Sequence, residues 1–91
     1  MGAIHQSHPD IINRLHRAQG HLNKVVQMIE QDEGCLEVAQ QFHAVVEALN
    51  KAKKIFIHDH IEHCLEHVAI EPDSRSRRKQ LAEFKEIYKF L

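Results

Sequence analysis

What the sequence lacks narrows the field before any motif is read. Its apolar runs are only a few residues long, too short for a membrane span. The opening Met1-Gly2-Ala3-Ile4-His5 has neither the basic nor the hydrophobic block of a secretory leader, so the expected compartment is the cytoplasm. Cysteine is scarce: there are two, and in a reducing compartment they point to ligands, reactive thiols or small core residues rather than a disulfide. No Gly-rich loop, carboxylate dyad or oxyanion-forming pattern is present, so no enzyme is expected, although a His and a Cys one turn apart could in principle pair as base and nucleophile. Strand alternation, internal repeats and low-complexity tracts are also missing.

What is present describes a small helical protein. The 91 residues, 43% apolar and 27% charged, are expected to form a single domain, 1–91, with 1–8 as a flexible N-terminal segment. A monomer of that length buries a modest core, so partner subunits would help it. The net charge of −1 hides a segregated distribution. No acid lies between Asp10 and Glu30 or between Glu47 and Asp59, where Arg14, Arg17, Lys24, Lys51, Lys53 and Lys54 fall. Acids gather instead at Glu30, Asp32 and Glu33 and around Glu62, Glu66, Glu71 and Asp73.

Three helices are predicted. Ile12, Leu15, Leu22, Val26 and Ile29 recur at three- and four-residue intervals, giving an amphipathic helix over about 9–31 that opens on Pro9 and Asp10. Asp32-Glu33-Gly34 is a turn, with Gly34 placed for the left-handed conformation that ends helices. From Cys35 to about residue 67 there is neither Pro nor Gly, and Val38, Phe42, Val45, Leu49, Ala52 and Phe56 keep helical spacing. So long a helix in so short a chain implies a bundle completed by another chain. Glu71-Pro72-Asp73-Ser74 interrupts it, and Leu81, Phe84, Tyr88 and Leu91 mark a short third helix. A helix-turn-helix is not expected, because the basic residues lie inside long helices.

Nine histidines are an unusual excess, and four ligand-type side chains share one stripe. At about 100° per residue, His60, His63, Cys64 and His67 fall within roughly a third of the helix circumference. His60 and Cys64 are one turn apart, a spacing at which imidazole and thiolate can bind one ion. Cys35 projects to almost the same side, yet at 1.5 Å per residue it lies about 37 Å from His60 on a straight helix. One subunit therefore cannot close the site. Two copies packed antiparallel along Phe42, Leu49 and Phe56 would carry Cys35 of one chain to His60 and Cys64 of the other. Set against this, a lone His on an apolar face is usually a core or surface residue, and Cys35 also reads as a small buried residue near a helix start.

Arg14, Arg17, His21 and Lys24 form a basic stripe on the first helix, and Lys51 and Lys54 a second cluster. In an antiparallel dimer they would form a positive surface for phosphates; the plainer reading is a solvated charged face. Arg75, Arg77, Arg78 and Lys79 either extend that surface or solubilise a loop and the start of the third helix.

Ile12-Asn13-Arg14-Leu15, Gly20-His21-Leu22, Cys35, Gln40-Gln41 and His58-Asp59-His60-Ile61-Glu62-His63-Cys64-Leu65 resemble the copper-sensing operon repressor and nickel/cobalt repressor family (CsoR/RcnR type), over nearly the whole chain from His8 to Leu91. The resemblance implies a three-helix protomer, an antiparallel dimer and a disc-shaped dimer of dimers. It implies a metal-free protein that holds operator DNA and lets go when ligand binds, derepressing an efflux or detoxification gene. Its ligand positions carry over as Cys35 of one protomer with His60 and Cys64 of the other. That set suits copper(I); with His5 or His8 added, and His63 a further candidate, it suits nickel(II). His8-Pro9-Asp10-Ile11-Ile12 and the His58 to Leu65 phrase look most like a nickel-resistance branch, and Gly34 departs from the copper branch, where an aromatic residue often precedes the cysteine. Formaldehyde-responsive repressors of the family usually lack a cysteine at position 64, and persulfide sensors lack the histidine at 60. Outside the family, the alternative is a metal-storage or delivery bundle without DNA binding.

Overall fold

The computed structural model describes residues 7–91. It is all-helical there: α1 spans His8–Glu30, α2 Cys35–Ile70 and α3 Ser74–Tyr88. Two compact units share the chain, His8–Ala52 and, from the middle of α2 onward, Lys53–Leu91. Of the flexible segment expected at 1–8, residues 1–6 lie outside the described residues, while His8 is already the first residue of α1.

Local chemistry sets each boundary. At the end of α1, Asp32 N–H donates to the Ile29 carbonyl at 3.2 Å and Glu33 N–H to the Met28 carbonyl at 3.0 Å. Such paired bonds close a helix on a left-handed residue. That residue is Asp32, at φ 55°, and not the expected Gly34. A short polar side chain tolerates this region by bonding locally. Gly34 instead caps α2: its carbonyl accepts from Val38 N–H at 3.0 Å. A Cβ on Gly34 would run into the Glu37 carboxylate. Helix α2 continues to Ile70 and stops before Pro72, which disfavours helical backbone at the residue ahead of it.

In the first unit, Ile11, Ala18 and Val25 of α1 and Val45 and Ala52 of α2 are buried at seven-residue intervals. That is the repeat of helices packed along a narrow seam. Val25 is 2% exposed, a burial that stabilises by about 1.5–3 kcal/mol. His21 Nε2 and Gln41 Oε1, 2.7 Å apart, add a polar tie between α1 and α2.

The stripe that revealed α1 as amphipathic is not the one the chain buries. Ile12, Leu15, Leu22, Val26 and Ile29 all remain exposed, as do Phe42, Leu49 and Phe56 at 50%, 41% and 45%. Helices α1 and α2 each carry two adjoining apolar stripes, and only one of the two is covered. A Cβ on Gly20 would meet nothing within 4 Å in this chain.

In the second unit Ile57 is buried and Phe84 and Ile87 are half-buried. Helix α3 starts seven residues ahead of its first apolar marker, Leu81, capped by Asp73, whose Oδ2 accepts from Ser76 N–H at 3.1 Å. Arg75, Arg77, Arg78 and Lys79 therefore occupy its first turns. Arg77 also donates to the Glu71 carbonyl at 3.2 Å, which ties the connection to the helix it precedes. Leu91 falls beyond the helix.

Candidate metal centre and basic cleft

Helical periodicity brings His60 and Cys64 to one face of α2, and the α2–α3 connection lays α3 against it. Together with His63, His67, Gln80 and Glu83 they line a cavity of about 100 Å³. The two principal candidates are each tied to α3. His60 Nε2 lies 3.5 Å from Glu83 Oε1, and the Cys64 thiol donates to the Gln80 carbonyl at 3.4 Å. Phe56 stacks on His60 with ring centroids 6.5 Å apart.

Burial pushes the Cys64 thiol above its usual range, and the nearby Glu83 carboxylate pushes it further in the same direction. Both favour the neutral thiol, the form that donates to Gln80. An ion at Cys64 needs the thiolate, so its arrival displaces a proton and ends that hydrogen bond.

The donor set fits a transition metal. The Glu83 carboxylate stands beside the His60 ring, as carboxylates do beside metal-binding imidazoles. Cys35 is exposed as the first residue of α2. Among the described residues no three His, Cys, Asp or Glu side chains of the chain are grouped to hold an ion. His63 lines the same cavity, 3.9 Å from Asp59 Oδ1 and stacked with His67. His8 is half-buried at the start of α1, and His5 lies outside the described residues.

The first unit holds a second feature, a cleft of about 290 Å³ between α1 and α2. Arg14, Arg17, His21 and Lys51 line it, with Ala18 and Ala48 leaving the room. Four of the six expected DNA-contacting residues thus meet around one opening. Lys24 is exposed outside it, and Lys54 is exposed in the other unit. Arg14 donates to Asp10 Oδ2 at 2.9 Å, a partly exposed pair worth no more than about 1 kcal/mol and easily exchanged for a phosphate.

Glu83 and Gln80 were not foreseen from the sequence. The available signal was a polar Gln80 on the stripe that continues through Phe84 to Ile87.

The profile of the family described as "Metal-sensitive transcriptional repressor" matches residues 7–90. The chain belongs to that family. The chain is 40% identical over 53 residues to the copper-sensing transcriptional repressor CsoR of Mycobacterium ulcerans, covering 58% of this chain and 45% of that protein. It is 31% identical over 72 residues to CsoR of Mycobacterium bovis, covering 79% of this chain and 60% of the relative. The chain thus spans less than two thirds of the length of either relative. Among solved structures, the nickel-responsive transcriptional regulator InrS matches at a TM-score of 0.81 with 32% identity, covering 100% of both chains. No helix among the described residues is long and apolar enough to cross a membrane.

Proposed function

We propose that this repressor binds operator DNA in its metal-free form and releases it on binding nickel(II) or copper(I), derepressing a metal efflux or resistance gene in the cytoplasm. The observation that carries the reading is that His60 and Cys64, one turn apart in one cavity, each set a side chain against α3. Loading Cys64 necessarily ends one of those contacts, because its proton must leave.

In this reading Cys35 comes from the partner subunit of an antiparallel dimer, and two dimers form a disc-shaped homotetramer in which 1–91 acts as one domain. The exposed Phe42, Leu49 and Phe56 support it, since they lie on the stripe along which a second α2 would pack. So does the position of Cys35, which opens the same helix that carries His60 25 residues later. Two thiolates and an imidazole suit copper(I), and His8 or His5 as a fourth donor suits square-planar nickel(II). The likeness to InrS over the whole chain supports nickel(II), and the CsoR relatives support copper(I).

The DNA side rests on the Arg14, Arg17, His21 and Lys51 cleft, with Lys24 and Lys54 as further phosphate contacts. Closure of the metal centre would draw the N-terminal segment and paired helix ends together and shift the basic stripes out of register with the phosphates. Losing several phosphate contacts costs orders of magnitude in affinity at moderate salt. Fluorescence anisotropy with promoter DNA from the protein's own operon tests this. Tight binding of the metal-free protein is expected, weakened at least about tenfold by nickel(II) or copper(I), in the range of allosteric couplings. Unchanged affinity with both ions contradicts it, and metal uptake without any DNA binding favours storage or delivery.

A further inference from the structure

The shared centre accounts for His60 and Cys64 and leaves part of the same cavity unused. His63 and His67 lie one turn apart on α2 with their rings stacked, centroids 6.5 Å apart. Two imidazoles on one four-coordinate ion, with nitrogen donors about 2.0–2.1 Å from it, place their centroids roughly 5 Å apart, somewhat closer than these two rings stand. A modest change of rotamer therefore brings both nitrogens onto one point. Asp59 Oδ1 stands 3.9 Å from His63 Nε2, where a carboxylate orients a metal-binding ring.

Gln80 supplies the independent sign. Its side-chain oxygen is buried without a hydrogen-bond partner, in a residue that lines the cavity with His63 and His67. A buried acceptor with no donor is costly, and persists where a ligand or its water satisfies it.

We infer that His63, His67 and Gln80 form a second cation site, built within one chain, for a borderline divalent ion such as zinc(II) or nickel(II). Imidazole nitrogen and amide oxygen suit that class, and the set has no thiolate of the kind copper(I) prefers. Water completes the coordination. His63, a candidate for the shared centre by sequence, belongs to this site instead. The second site goes beyond the shared centre and needs neither Cys35 nor a partner subunit.

Calorimetric titration of Cys35→Ser/Cys64→Ser protein with zinc(II) tests it without the thiolates. One zinc(II) per chain is expected, and adding His63→Gln/His67→Gln weakens uptake at least about tenfold with helical circular dichroism unchanged. Gln80→Leu in the same background also weakens uptake, yet raises the melting temperature of the metal-free protein, because it removes a buried acceptor that has no donor. No zinc(II) uptake by the thiolate-free protein, or uptake unchanged by His63→Gln/His67→Gln, overturns the second site. The shared centre is read separately, from thiolate-to-nickel charge transfer in His63→Gln/His67→Gln protein, where it is expected to persist. Its loss in that variant alone would place the imidazoles in the shared centre and overturn the second site. Its absence from the native protein as well would fault the shared centre, and the zinc(II) result alone would then decide the second site.

Discussion

At Cys64, burial and the Glu83 carboxylate act in the same direction, and both oppose the thiolate that an ion requires. Glu83→Gln removes the second influence and keeps the first. Its Cys64 thiol is expected to ionise at lower pH than in the native protein while staying above its ordinary range, because burial is the larger cause. Thiolate ultraviolet absorbance against pH, in a Cys35→Ser background, measures this; an unchanged or higher midpoint contradicts it. The sign for stability follows. The folded state holds this proton more tightly than the unfolded chain, so the contribution is fully present below the thiol's ordinary range and is lost as pH rises beyond it through the raised folded-state range. Metal uptake runs the other way and strengthens with rising pH, as the proton becomes easier to displace.

At the scale of the helices, α3 is the element that joins chemistry to fold, since it carries Gln80 and Glu83 and is started by Asp73. Asp73→Ala removes that cap and is expected to lower stability by about 1 kcal/mol in denaturant unfolding. In α1 and α2, Arg14→Glu with Lys51→Glu reverses charge across the basic cleft. Operator affinity is expected to fall at least about tenfold and its salt dependence to flatten, since phosphate contacts set the slope. Metal titration of the same protein should be unchanged. Much of this level was legible beforehand: Pro9, the turn before Cys35 and Pro72 punctuate three helices, and the His60 and Cys64 spacing marks the face of α2 that lines the cavity. The face that α1 buries was not, because periodicity gives the angular position of Ile12 or Leu22 but not which neighbour covers it. Ile11, Ala18 and Val25 form an equally regular stripe beside them, and the chain buries that one. Glu83 and Gln80 stayed hidden because their link to His60 and Cys64 crosses between helices, where no spacing rule applies.

For the whole molecule, the exposed Phe42, Leu49 and Phe56 exceed what one chain covers, and a second copy of α2 is the proposed neighbour. Leu49→Asp places a charge in that seam and is expected to shift the assembly toward monomers in sedimentation velocity; an unaltered profile would place the interface elsewhere. Shared ligands give a more direct test. Cys35→Ala protein lacks one half of the proposed centre, His60→Ala/Cys64→Ala protein lacks the other, and neither parent should show strong thiolate-to-nickel charge transfer. When the two are unfolded and refolded together in equal amounts, random pairing should return about a quarter of the native signal, from mixed dimers that each hold one intact centre. A mixture no stronger than the average of its parents would contradict the sharing of Cys35 across subunits.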